Sequence, residues 1–327
     1  MSKKAPLWEG KAIVVAMWLF ARLPLGLVCA IGAALATLIS YMPLKWASAY
    51  RVALVNIMLC HPEMPYDEAA KLARRALQNI GRTLTEFSHV WTRPAEQSLA
   101  RITQVQGLAP LLQAYEEKRP VLLLTLHQSS WELPNLLLAQ ESPMTVFYQP
   151  HDNEALNVLV TKARESTGST LVPANATGIK AGLQAMRRGE SVAILVDHNP
   201  NSSNNPEVPL FGHVVRTSNL PHKLIQRYSP LVFFVGCHRG EGKHNDVRVY
   251  IEPAPEALYS EDEATSVAAM NAKLEELIQR YPEQYHWTYK RFRRINGMQC
   301  KVYDKRHVPA LLRAREKNRG ITLEELL

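Results

Sequence analysis

VLLLTLHQSSWE, residues 121–132, decides how this chain is read. Val121–Leu126 is a continuous apolar run with no polar alternation, the pattern of a strand buried on both faces of a sheet. It ends in His127, and Glu132 follows five residues on. In open α/β sheets, ligands and catalytic groups sit beyond the carboxyl ends of the strands, which is where His127 falls. On one continuous helix, five residues turn through about 500°, and the two side chains would diverge. A strand-to-helix turn removes that obstacle and lets the Glu132 carboxylate fold back onto the imidazole. Such a pair suits general-base activation of a hydroxyl: the ring takes the proton, and the carboxylate fixes the tautomer. Two structural alternatives stay open. His127 can be a satisfied strand-end histidine, and Ser129-x-x-Glu132 is also a capping box, with Pro134 close to the start of a helix.

Outward from this stretch the pattern repeats. Thr145–Tyr148, Ser191–Val196, Leu231–Cys237 and Val247–Ile251 read as strands. Asn153–Thr167, Thr177–Arg188 and Val267–Tyr281 read as helices, the second closed by Gly189 and the third by Pro282. A longer helix is expected over Asp67–Trp91, from apolar residues at Ala70, Ala73, Leu77, Ile80, Leu84 and Phe87. Asn199–Pro209 (NPNSSNNPEVP) reads as a polar loop of the length that often carries function. The alternation predicts an α/β fold: a largely parallel central sheet flanked by helices.

The N-terminus differs. Between Ala12 and Leu44 the single charge is Arg22, and Leu25–Met42 is eighteen residues without charge. This length approaches the roughly 20 apolar residues that span a bilayer. An N-terminal membrane helix is expected, kinked or partly interfacial at Arg22 and Pro24. A signal peptide cut near Ala34-Leu35-Ala36 and a buried core helix are the alternatives.

The chain has 327 residues, 46% apolar and 21% charged, which excludes a disordered chain. A mean hydropathy of −0.17 excludes a multi-span membrane protein. The net charge of +8 favours an acidic partner. Most of it lies in Thr288–Leu327, where eleven Lys and Arg face four Asp and Glu. That segment is either a solvated helix or a docking surface for anionic lipid or an acidic protein. No nucleic-acid-binding signature accompanies it, so nucleic acid is not expected as a partner. Cys29, Cys60, Cys237 and Cys300 have no metal-ligand spacing, and a reducing compartment fits them. No G-x-S-x-G elbow is present, so the imidazole is expected to act on a substrate hydroxyl and not on a protein serine.

The His127-x4-Glu132 spacing resembles the H-x4-D/E motif of the lysophospholipid acyltransferase superfamily. More closely, the chain resembles the secondary acyltransferases of lipid A biosynthesis. Further blocks carry that resemblance: Arg51 with Asn56 before His61-Pro62-Glu63; Asn79-Ile80-Gly81 with Glu86; Tyr148-x-Pro150-x-Asp152-Asn153, then Arg164-x3-Gly168. Pro209-Leu210-Phe211-Gly212 with Thr217 follows, then Tyr281-Pro282-Glu283-Gln284-Tyr285-x-Trp287 and Lys290-Arg291-Phe292. The ordered set is specific where no single block is. It extends to about Arg294.

The resemblance implies acyl transfer from acyl-acyl carrier protein to a hydroxyl of a lipid A precursor, with no acyl-enzyme, no metal and no other cofactor. His127 would be the general base and Glu132 its partner. Arg164 and Asp197 would contact substrate; a solvated helix charge and a loop-capping aspartate are their structural alternatives. The division implied is a membrane anchor segment over 1–50, an acyltransferase domain over 51–298 and a basic helical tail over 299–327. The location would be the inner membrane, among its lipids, with the catalytic domain on the cytoplasmic side. Another membrane lipid as acceptor, such as an ornithine lipid or a lysophospholipid, and an inactive binding homologue are the competing readings. Two departures stand out. Asp197 is followed by His198 where the family often has Gln, and the E-G-T-R motif of glycerophospholipid acyltransferases is absent.

Overall fold

A computed structural model describes residues 7–200, 202–240 and 246–327. The described chain opens with helices α1 (Leu7–Phe20), α2 (Leu25–Tyr41), α3 (Ser48–Cys60), α4 (Tyr66–Val90) and α5 (Ala95–Leu99). Alternation then sets in: β1 (Ile102–Gln106), α6 (Leu108–Glu116), β2 (Val121–Thr125), α7 (Glu132–Glu141), β3 (Met144–Tyr148) and α8 (Glu154–Glu165). It continues through β4 (Ser169–Pro173), α9 (Ala176–Arg187) and β5 (Ser191–Leu195). Next come β6 (Glu207–Leu210), β7 (His213–Arg216), α10 (Leu220–Tyr228), β8 (Leu231–Arg239), β9 (Val247–Pro253) and α11 (Glu263–Arg280). Two-residue strands β10 (Arg294–Ile295) and β11 (Met298–Gln299) precede α12 (Val308–Glu316).

The main sheet has seven strands in the order β1-β9-β8-β2-β5-β3-β4. Among the described residues of this sheet, β8 and β9 pair antiparallel and the other pairings run parallel. The expected α/β architecture with a largely parallel sheet is therefore what the chain adopts. β2 lies inside the sheet between β5 and β8, which explains its unbroken apolar run. Side chains alternate along a strand, so β2 feeds two cores. Leu122 and Leu124 pack with α3, α4 and α11 on one face, and Val121 and Leu123 pack with α6 and α7 on the other. The polar loop expected up to Pro209 is shorter, because Glu207–Leu210 pairs with His213–Arg216 as a hairpin. Its two-residue turn puts Phe211 at φ 48° and Gly212 at φ 75°, the left-handed pair that matches strand twist.

The N-terminal expectation needs correction. Among the described residues no helix is long and apolar enough to cross a membrane. The apolar stretch breaks between Phe20 and Leu25 into α1 and the 17-residue α2. At 1.5 Å per residue, α2 reaches roughly 25 Å against a hydrocarbon core of about 30 Å. Its inner face, Val28, Cys29, Gly32 and Ala36, is buried. The contact with α4 is backbone to backbone at one point: a Cβ on Gly32 would lie 2.2 Å from the Gly81 carbonyl oxygen. Glycine at both positions is what lets the helices approach so closely. Large apolar side chains stay exposed here: Trp18 and Leu19 on α1, Leu27, Leu35, Leu38 and Tyr41 on α2, and Trp46 just after it. The C-terminal segment is helical over α12, where Leu311 and Ala314 join the core beneath an exposed basic face.

Candidate active site

The centre of the site follows from strand register. Thr125 of β2 lies opposite Leu195 of β5 in a parallel pair, and the Val196 N–H donates to the Thr125 carbonyl at 3.0 Å. Two residues further on, His127 and Asp197 therefore emerge side by side at the carboxyl ends of both strands. Asp197 accepts two hydrogen bonds from His127, one from its backbone N–H (2.9 Å) and one at Nδ1 (3.0 Å). Burial would raise the Asp197 carboxyl's pKa. Attraction to the His127 ring and its hydrogen bonds, with His198 nearby, outweigh burial and hold the carboxyl well below the usual range.

Glu132 does not fold back onto His127 as expected; it pairs with Arg164. Arg164 Nε donates to Oε2 at 2.8 Å and Nη2 to Oε1 at 2.5 Å, a bidentate fork. Glu132 is buried, and Arg164, carried on α8, holds its carboxyl below the usual value against the effect of burial. The Arg164 guanidinium is raised in turn, its burial outweighed by Glu132. The four residues read from the sequence thus form two pairs, His127–Asp197 and Glu132–Arg164, where a His127–Glu132 pair was expected. The reason is the turn between them: α7 starts at Glu132, so its side chain leaves on the α8 side while the imidazole faces β5. The capping-box alternative is not formed either, since Trp131 occupies the N-cap and no side-chain cap bond is made.

Gln128–Ser130 is fixed from behind. Ser129 has φ 53°, and its N–H donates to the Gln284 carbonyl at 2.8 Å. Thr83 Oγ1 donates to the Ser129 carbonyl at 3.1 Å, and Ser130 Oγ donates to Glu86. Glu86 is fully buried and bridged by Arg101 and Arg239. Asn79 of α4 donates to the Glu283 carbonyl, and Asn56 of α3 donates to the carbonyls of Trp287 and Tyr289. The blocks that carried the family resemblance outside the motif thus hold the turn and the 283–289 segment behind it. Asn79, Thr83 and Glu86 recur at helical spacing on a buried face, so this polar stripe was legible in the sequence even though no role was assigned to it.

Aromatic rings close the site. Trp131 meets His127 edge-on at 5.1 Å and stacks on His286 at 5.6 Å; His198 lies 4.5 Å from His127 between centroids. Burial, then His127, pushes the His286 pKa down to about 3, leaving a neutral ring. His198 is also lowered, first by burial. A cavity of about 1260 Å³ opens onto His127, Glu132 and Arg164 and is lined by Leu138, Met144, Val146, Leu183, Ile194 and Val235. Asn135, one turn after Glu132 on α7, lines it with both side-chain polar atoms buried and unpartnered among the described residues. His198 stood out in the sequence only as a departure after Asp197, and neither His286 nor Asn135 carried a signal of its own. His127, Asp197 and His198 each offer one metal-ligating atom, all within 4.8 Å of one another.

Comparison with known proteins places the chain. The model of the bacterial lipid A biosynthesis acyltransferase family matches residues 5–294. The lipid A biosynthesis lauroyltransferase of Escherichia coli K12 is 28% identical over 290 residues, 88% of this chain and 90% of its own. The palmitoleoyltransferase of that organism is 26% identical with the same coverage. Its myristoyltransferase is 24% identical over 74% of this chain and 75% of its own. The match runs through both side-chain pairs and the polar stripe behind them, and the chain belongs to the bacterial lipid A biosynthesis acyltransferase family: it is an acyltransferase.

Proposed function

We propose that the enzyme transfers a fatty acyl group from acyl-acyl carrier protein to a hydroxyl of a lipid A precursor, without an acyl-enzyme. The observation that carries this is the His127–Asp197 pair opening on a large cavity with apolar lining. With Nδ1–H donated to Asp197, the His127 Nε2 lone pair is left to take the acceptor hydroxyl's proton. The alkoxide oxygen forms as it attacks the thioester carbonyl carbon, and the thiol leaves with the proton that the imidazolium returns. Asp197 fixes the tautomer and stabilises the imidazolium. A positioned base of this kind contributes about 10²–10⁴ in rate.

Glu132 orients Arg164. A guanidinium held through Nε and Nη2 still has Nη1 to offer a phosphate of the acceptor. The apolar cavity wall suits the acyl chain. The exposed apolar face of α1 and α2 supports docking into one leaflet of a bilayer without crossing it. The inner membrane, with the site facing the cytoplasm where an acyl carrier protein is found, is the location that fits this donor.

The test is a transfer assay with acyl-acyl carrier proteins of several chain lengths and a Kdo-bearing lipid A precursor, read by mass spectrometry, with His127→Ala as control. A product heavier by one acyl group, absent in the variant, supports the reading. No product with this precursor, but acylation of other lipids in a total extract, moves the acceptor to another membrane lipid.

A further inference from the structure

We propose that His127, Asp197 and His198 together form an inhibitory site for a divalent transition-metal ion of the zinc type. The binding stands on geometry alone; the inhibition rests on His127 being the base, as proposed above. Three ligating atoms within 4.8 Å of one another is the first requirement of such a site. The Nδ1 of His127 and the Oδ1 of Asp197 are 3.0 Å apart, close to the roughly 3.3 Å between neighbouring ligands of a tetrahedral zinc ion with bonds of about 2.0–2.1 Å. The His198 ring is tilted 40° to that of His127 and lines the same cavity, so closing the third bond asks for side-chain rotation toward the pair. The cavity supplies the fourth position, for water or a substrate hydroxyl. Two imidazoles and one carboxylate suit Zn²⁺, Cu²⁺ or Ni²⁺ and discriminate against Mg²⁺. All four cysteines are buried, so thiolates do not compete for the ion.

Binding silences the base by a tautomer change. In the metal-free pair, the Nδ1 proton sits between His127 and Asp197, and Nε2 carries the lone pair. An ion bound at Nδ1 takes that nitrogen's lone pair, and the displaced proton moves to Nε2. The ring stays neutral and has no lone pair left for the acceptor hydroxyl. No group is oxidised or reduced.

Full-length protein without a polyhistidine tag is titrated with Zn²⁺ against a chromophoric chelator, and with Co²⁺ while its visible absorbance is followed. The expected result is one ion per chain, with affinity at least about tenfold weaker in His198→Gln and in His198→Ala. Transfer by the wild type should fall with Zn²⁺ and recover with a chelator, while His198→Gln should resist the same Zn²⁺ concentration. Equal affinity in wild type and both variants overturns the site, as does a lack of binding by the wild type. His198-dependent metal binding in a protein without transfer activity sustains the site and sinks the acyl-transfer reading instead.

Discussion

His127 and Asp197 touch because two parallel strands run in register: Thr125 opposite Leu195 places the imidazole and the carboxylate two residues further on, 3.0 Å apart. Asp197→Asn keeps the shape but reverses the hydrogen bond, since an amide NH₂ can face Nδ1 and force the proton onto Nε2. The expected loss of transfer is about 10²–10⁴, comparable with His127→Ala. Circular dichroism should stay unchanged in both. Near wild-type turnover in Asp197→Asn would show that the tautomer does not matter.

Glu132 and Arg164 form a buried ion pair, and the two single substitutions should not be equivalent to the double. Arg164→Met leaves a carboxylate buried without its partner, at a cost of about 3–5 kcal/mol of stability. Glu132→Gln in the Arg164→Met background should recover much of that stability. Chemical denaturation of the four proteins reads the coupling. Additive losses would mean that the fork contributes nothing as a pair. Transfer should be impaired in all three variants, because Arg164 is lost or left unoriented.

The sequence reveals some of this and conceals the rest for identifiable reasons. β2 and β5 were legible because central parallel strands are apolar throughout. The edge strands β1 (ITQVQ) and β4 (STLVP) were not, since half-solvated edges carry polar residues. Leu84 fits the apolar period of α4 yet is 55% exposed, because a stripe's spacing does not say how wide the contact is. His127, Glu132, Arg164 and Asp197 were all singled out, and the structure brings them together as two side-chain pairs, but that pairing could not be read in advance. Pairing depends on strand register and on which way a turn leaves a strand, and neither has a local signature. The N-terminal apolar segment showed its length and its break at Arg22 and Pro24; the Gly32–Gly81 contact that turns it back onto α4 joins residues far apart in the chain.

Acid stability should fall in two stages. His286 is held neutral in the fold, with its pKa near 3 against about 6.5 in an unfolded chain. Between those values the unfolded state binds one more proton, so stability decreases as pH drops from about 6.5. Glu86, Glu132 and Asp197 have lowered pKa values in the fold. Their contribution is full above about pH 4 and is lost only below it. Other histidines with lowered pKa values, His198 among them, share this slope, so His286→Gln should make the melting-temperature profile less steep between pH 6.5 and 4, by up to about 1.4 kcal/mol per pH unit. Parallel profiles for wild type and variant would exclude His286 as the source.

The exposed face of α1 and α2 makes the membrane proposal testable without disturbing the fold. Trp18 is 52% exposed and Leu38 67%, so Trp18→Gln with Leu38→Gln should leave thermal stability within about 0.5 kcal/mol. If these side chains enter the acyl region, losing them removes at least about 1.4 kcal/mol of transfer free energy, a tenfold drop in partitioning onto vesicles. Salt separates this from electrostatic docking. An apolar insertion survives 0.5 M salt, whereas attraction between the basic face of α12 and anionic lipid is screened within roughly a Debye length. Vesicle sedimentation with neutral and anionic lipid, at low and high salt, gives both terms. Wild-type binding by the double variant on neutral vesicles would remove α1 and α2 as the anchor. Binding lost in high salt alone would assign it to the basic surface of the C-terminal segment.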